Sequence, residues 1–258
     1  MDDYKKLNKQ PLKIVLTEFR FSPVMQIAEY IPKLQEAFRK QYPITDKKVE
    51  QSVQFQSGGL SVSAIDRWGF IAADKKSAIE ISQERLIYYA ADYPRFEGYS
   101  DACKIALDHL CEIVDPSLIL RIGLRYSDLV LLDGEECISD LVDRHYGYPE
   151  CLEGLGEPLH QRNETFLKTE LGALAIRSLY GFHNLSCMPD IQDLPVDINR
   201  VDEPSERVVL DFDHFWEDGN GVNFDVDDVL EKLQGLHDIS RQAFWKITSD
   251  YARNEKWS

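Results

Sequence analysis

The chain has 258 residues, 43% of them hydrophobic, and a formal charge of −16, so it is long and apolar enough to bury a sizeable core and is not a disordered polymer. No apolar run approaches the ~18 residues of a membrane helix, and the opening MDDYKKLNKQ lacks the apolar centre of a signal peptide, so a cytoplasmic protein without membrane contact is expected. Five cysteines, Cys103, Cys111, Cys137, Cys151 and Cys187, with no Cys-x-x-Cys, fit reduced thiols better than a disulfide framework.

After an N-terminal tail, residues 11–21 read as a strand in which Leu12, Ile14 and Leu16 alternate with other residues and Phe19 and Phe21 continue an apolar face, ended by Pro23. Residues 27–41 follow as an amphipathic helix, with Ile27, Tyr30, Ile31, Leu34, Ala37 and Phe38 on one side and Pro43 as its stop. Short strands are expected at 49–56, 60–65, 68–73, 78–82 and 85–91, with tight turns at Gly58-Gly59, Asp66-Arg67, Asp74-Lys75 and Gln83-Glu84 that favour antiparallel hairpins. A helix at 98–114 and a strand at 118–132 close the first half.

The second half opens with a short helix from Cys137 to Tyr146 and a Gly- and Pro-containing connection from Gly147 to Pro158. Strands at 164–171 and 173–182 flank Gly172, and another runs from 207 to 215. The last element is a long amphipathic helix. Asp225 can cap it, Asp227, Asp228 and Glu231 suit the positive end of its dipole, and Val229, Leu230, Leu233, Leu236, Ile239, Ala243, Phe244, Ile247 and Tyr251 form one stripe to about Asn254. Gly235 interrupts it and permits a bend or a close approach. This order predicts an α+β fold of mainly antiparallel sheet layers packed by helices. It divides into an N-terminal lobe, 1–133, and a C-terminal lobe, 134–258, or forms one continuous domain.

The charge is unevenly spread. Residues 1–48 carry ten basic and six acidic side chains, whereas 193–231 carry thirteen acidic and two basic. Such a stretch repels phosphate backbones, so general nucleic-acid binding is disfavoured and the natural partner is a protein with a basic surface. Asp197, Asp202, Glu203, Glu206, Asp213, Glu217 and Asp218 are the candidate docking residues; a solvated acidic loop is the plainer alternative.

Arg121, Gly123 and Arg125 share one strand face, with guanidiniums about 7 Å apart. Together with Arg20 they can hold an anionic ligand, with Glu18 or His237 nearby, or pair with Glu18 in a structural lattice. Asp211, Asp213, Asp218 and Asp225 supply hard oxygens, but Glu217-Asp218-Gly219-Asn220-Gly221 lacks calcium-loop spacing and reads as a turn. The six histidines fit no zinc spacing, and the chain has no nucleophile elbow, phosphate loop or dinucleotide fingerprint. No metal or cofactor is therefore expected, and no catalytic residue is assigned. Tyr88, Tyr89, Tyr93 and Phe96 lie around Arg85 and Arg95, a set that either stacks on bases or packs in the core.

Three segments carry a resemblance. They are Pro11-Leu12 with Glu18-Phe19-Arg20-Phe21 and Pro23, the central Arg121-x-Gly123-Leu124-Arg125-Tyr126, and Leu236-His237, Arg241-x-Ala243-Phe244, Ile247-Thr248-x-Asp250, Arg253 and Trp257. In this order they resemble a sporadically distributed family of uncharacterised prokaryotic proteins of about this length, sometimes found among defence genes. Residues 134–165 and 183–205 match that pattern least. The resemblance implies a soluble bacterial or archaeal protein and brings no catalytic residues with it; an accessory role in a prokaryotic antiviral or CRISPR-associated system is the expectation it suggests. The leading expectation is thus a non-catalytic protein that binds a partner through its acidic surface. A sensor or hydrolase for a small anionic ligand, and self-association through the terminal helix, are the alternatives.

Overall fold

The structure, a computed structural model, describes residues 4–5, 7–56, 59–152, 154–156, 159–191 and 193–258, the side chains of 51–63 and 150 excepted. Its strands are β1 (Leu12–Phe21), β2 (Ile44–Gln56), β3 (Gly59–Ile71), β4 (Ser77–Ile81), β5 (Arg85–Ala90), β6 (Leu118–Leu131), β7 (His160–Lys168), β8 (Ala173–His183) and β9 (Ser205–Asn223). They form one antiparallel sheet in the order β2-β3-β4-β5-β1-β6-β9-β8-β7. The helices are α1 (Ile27–Phe38), α2 (Phe96–Ile113), the four-residue α3 (Ile138–Leu141) and α4 (Val226–Ile247). The architecture is α+β, as the order of elements predicts.

The period of two in each strand divides its side chains between two unlike faces. Val15, Phe19 and Phe21 of β1, Ile122, Leu124 and Val130 of β6, and Val208, Leu210 and Phe212 of β9 face the helices. There they meet Leu34 and Phe38 of α1, Cys103, Leu107 and Leu110 of α2, and Leu233 and Leu236 of α4. The opposite face is covered in part by residues 184–204, whose Cys187, Met188, Val196 and Ile198 sit on Ile14, Tyr89, Leu129 and Val209. The acidic stretch therefore begins as a sheet cover: Val196 and Ile198 turn inward while Asp197 turns out, and the Asp197 N–H donates to the Lys75 carbonyl at 2.8 Å.

The boundary at residue 133 falls inside this architecture, because β6 pairs with β9 from Leu118 to Leu131 and a single sheet joins the two halves. The break expected at Asp66-Arg67 is also absent, and β3 runs straight through it. Cross-strand charge accounts for this: Asp66 pairs with Lys47 at 2.9 Å, and Arg67 pairs with Glu50 and Glu80. β9 likewise extends past its expected end at 215. Asp218–Gly221 bulges out between the pairs Arg121–Glu217 and Ile119–Val222, with the Asp218 carboxylate accepting from the N–H groups of Asn220 and Gly221. The turn expected at Gly58 lies outside the described residues.

Asp225 caps α4, accepting from the Asp228 N–H at 3.0 Å. Leu171, before β8, packs against the helix at Gly235, where an added Cβ would stand 2.3 Å from the leucine Cδ1. The helix ends at Ile247 and not near Asn254, because Thr248 is extended and bridges to Val142, and a π-helical turn, Ala252–Lys256, follows. That bridge also limits the helix expected over 137–146 to α3 and a separate 3-10 turn, Arg144–Tyr146. Among the described residues no helix is long and apolar enough to cross a membrane.

Candidate functional site

The three arginines expected to hold an anion are already committed to carboxylates. Arg121 donates to Glu18 at 2.7 Å, Arg20 donates to the same carboxylate at 3.3 Å, and Arg125 donates to Asp211 at 2.8 Å and to both oxygens of Asp190 at 2.7 and 3.0 Å. Gly123 makes the Arg121 contact possible. It stands opposite Glu18 on β1 and Phe215 on β9, and the Arg121 guanidinium lies across it, so that a Cβ there would come within 2.6 Å of Nη1.

The pairing continues across the sheet. Arg177 joins Glu164, Asp211 and Asp213; Arg85 joins Glu18 and Glu50; Arg67 joins Glu50 and Glu80. Acids and arginines thus alternate from β7 to β2, and the lattice draws a member from every strand. Asp211 is fully buried, and desolvation raises its pKa against the pull of Arg125 and Arg177. The exposed Asp190, hydrogen-bonded by Arg125, is lowered. This is the closed structural lattice and not an open anion site.

The acidic docking candidates do not gather on one surface. Asp213 belongs to the lattice, Glu206 accepts from the Tyr180 hydroxyl, and Asp218 holds the bulge. Asp197, Asp202, Glu203 and Glu217 are exposed. Glu206 and Glu217 are eleven residues apart along β9, roughly 35 Å, several times the ~8 Å screening length of physiological salt. Asp202, Glu203 and Glu206 stay together at one end, where the Arg207 guanidinium donates to the carbonyls of Val201 and Glu203.

His237 lies on the other side of the sheet from the arginines, in the wall of a cavity of about 260 Å³ between α4, the entry to α2, the sheet and the N-terminal segment. Tyr93, Tyr126, Phe212, Phe244 and Trp245 make its wall largely aromatic. His237 stacks on Phe96 with ring centroids 3.9 Å apart, and its Nδ1 is hydrogen-bonded to the Tyr126 hydroxyl at 2.8 Å. Tyr93 contacts Tyr126 at 3.4 Å between hydroxyls. Desolvation, helped by Arg241, pushes His237 down to about 3, so the ring is neutral; burial raises both phenols.

Asp128 is the outlier in this cavity. It is 4% exposed and lines the cavity; among the described residues its carboxyl makes no hydrogen bond or ion pair, and its oxygens are not among the buried atoms sealed without a partner, which leaves them open to the cavity's contents. Its neighbours across the sheet are Leu12 and Leu210, with Tyr126 two residues away on the same face. Desolvation, with Asp211 behind the sheet, pushes its pKa up to about 8, so the acid is protonated at neutral pH. The sequence did contain a signal: an acid on the same alternation as Ile122, Leu124 and Val130, the inward face of an apolar strand.

Among the described residues no group of three or more His, Cys, Asp or Glu is placed to hold a metal ion, and Asp211 and Asp213 face arginines. The chain matches no protein-family model, and no curated protein is similar to it.

Two outcomes are expected. Arg125→Met leaves the buried Asp211 short of a partner and should lower unfolding stability by about 3 kcal/mol in a urea titration, whereas Arg20→Met, at a more exposed site, should cost under about 1 kcal/mol. The second concerns pH. Asp128 has a folded pKa raised above the ordinary 3.8, so it favours the fold fully at low pH and loses that contribution as pH rises towards about 8. His237 gives the opposite slope between about 3 and 6.5. Between pH 6.5 and 8, Asp128→Asn should therefore gain stability over the parent chain by up to about 1.4 kcal/mol per pH unit. Parallel stability curves would show that Asp128 does not titrate in this window.

Proposed function

We propose that the protein is a ligand-binding protein, a sensor or carrier that takes a small organic molecule into the cavity beneath α4. The observation that carries this reading is Asp128, 4% exposed, whose carboxyl makes no hydrogen bond or ion pair among the described residues and borders an aromatic-walled cavity of about 260 Å³. A buried polar group without a partner is costly, and in native proteins such a group calls for an explanation. The volume is far above the ~30 Å³ share of one water, so a single bridging water does not fill it. The cavity suits binding better than proton abstraction, because an imidazole held near 3 is a poor general base at neutral pH. Native mass spectrometry of protein purified gently from cells that express it naturally should show a bound species of a few hundred daltons at most, released on denaturation. A ligand-free mass, together with no melting-temperature increase across a metabolite library, would count against the reading.

Docking of a basic protein partner, in an accessory role whose link to antiviral or CRISPR-associated systems rests on resemblance alone, is a second reading. A specific observation favours it: Leu159 and Phe182 are 79% and 70% exposed and share a surface hollow with Glu206, at the end of β9 that also carries Asp202 and Glu203. The edge strand β7 lies beside this hollow and offers unpaired backbone groups. Reversing Asp202, Glu203 and Glu206 to Lys should cut recovery of a co-purifying basic protein at low salt at least tenfold; undiminished recovery would remove this surface from consideration.

A further inference from the structure

Resting on the cavity reading above, we infer that the ligand is an organic ammonium ion, a small amine whose cationic head pairs with Asp128 and whose apolar body lies against the aromatic wall. The chemistry of the cavity interior selects for it. Asp128 is a buried acid in the sheet floor, beside Leu12, Leu210 and Phe212, whose side chains offer no hydrogen bond, and Tyr126, whose hydroxyl is engaged with His237. A lone ionised carboxylate in such surroundings is strongly disfavoured, whereas a carboxylate with a cation against it is not.

The described cations that line the cavity, Lys5, Arg95 and Arg241, make no hydrogen bond or ion pair with Asp128. Lys5 of the N-terminal segment and Arg95 at the entry to α2 are exposed, with the exposed Glu97 beside Arg95. Arg241 of α4 donates through Nη2 to Asp238 at 2.8 Å and lies over the Tyr4 ring, 4.5 Å from its centroid, while its buried Nε has no partner among the described residues. His237, the other titratable group of α4 facing the space, is neutral and tied to Tyr126. Tyr93 and Tyr126 are neutral phenols, and Asp211 behind the sheet is occupied by Arg125 and Arg177. Among the described residues no cation pairs with Asp128, so a ligand that brings its own positive charge would complete the site. The wall suits it, since the faces of tyrosine, phenylalanine and tryptophan rings attract ammonium groups and do so more strongly when water is excluded.

The proton balance is defined. In the free protein Asp128 carries a proton at neutral pH; when an ammonium ion binds, that proton leaves to solvent and the carboxylate forms the ion pair. Binding is then accompanied by release of up to one proton and strengthens as pH rises from 6 to 8, where less proton has to be displaced.

Benzylammonium, benzyl alcohol and benzoate share one ring and differ in charge, and they can be titrated into the intact chain by calorimetry, with Trp245 fluorescence as a local reporter. Benzylammonium should bind at least tenfold more tightly than either of the other two, release protons in buffers of differing ionisation enthalpy, and gain affinity from pH 6 to 8. Asp128→Asn should remove this preference and the proton release while the variant stays folded. Tighter binding of benzoate or benzyl alcohol, or a cation preference that persists in Asp128→Asn, overturns the ammonium inference and leaves the cavity as a site. Absence of any heat or fluorescence response to all three probes counts against both.

Discussion

An antiparallel sheet of nine strands has two faces, and this chain has helices enough to cover only one of them. The uncovered face cannot be wholly apolar without exposing a large patch, nor can its charges sit unpaired where 184–204 folds down upon it. The alternating lattice of arginines and carboxylates meets this constraint. Asp211 and Arg125 sit where the cover closes over the sheet, and Asp190 on the cover closes the arginine's remaining donors. Each strand contributes a charge that its neighbour needs, so strand order and register are fixed by the same contacts. A slip of one residue in β6 would turn Arg121 and Arg125 into the helix-side core and Leu124 into the lattice.

Gly123 shows how narrowly this is arranged. The Arg121-x-Gly123-x-Arg125 of β6 looks, in sequence, like a cradle for an anion. What removes the ligand reading is the carboxylate opposite: Glu18 lies at the register position of Gly123, and the flat glycine lets Arg121 lie down and reach it.

The helix-side face poses the converse problem. There the packing is apolar nearly throughout among the described residues, and Asp128 in the floor lies where α4, the start of α2 and the N-terminal segment leave a cavity over the sheet. Tyr4 against Trp245 and Lys9 N–H donating to the Trp257 carbonyl tie the N-terminal segment to α4 and to the C-terminal end of the chain beside the cavity. A core built only for stability would place a leucine at 128. Retaining a carboxyl without a protein partner costs stability near neutral pH, as groups at binding sites commonly do.

Much of the fold was legible locally. Hydrophobic alternation marked β1, β5 and β6, the three-and-four spacing marked α1, α2 and α4, and Asp225 announced its own cap, because these signals depend only on residues within a turn or a strand. The places where the reading failed share a cause. Asp66-Arg67 and Thr248 have local turn or helix chemistry that distant partners override, Glu80 and Lys47 in the first case and Val142 in the second, and the turn at Asp218–Gly221 forms but does not end β9, because β6 resumes the pairing beyond it. The site divides the same way. The sequence by itself determined which residues carry charge and on which strand face they lie, since alternation is a property of the extended chain. Only the tertiary structure decided that Arg20, Arg121 and Arg125 pair with carboxylates while Asp128 faces a cavity, because an ion pair needs atoms within about 4 Å, and residues as far apart as 18 and 121 are brought to that distance by the fold alone.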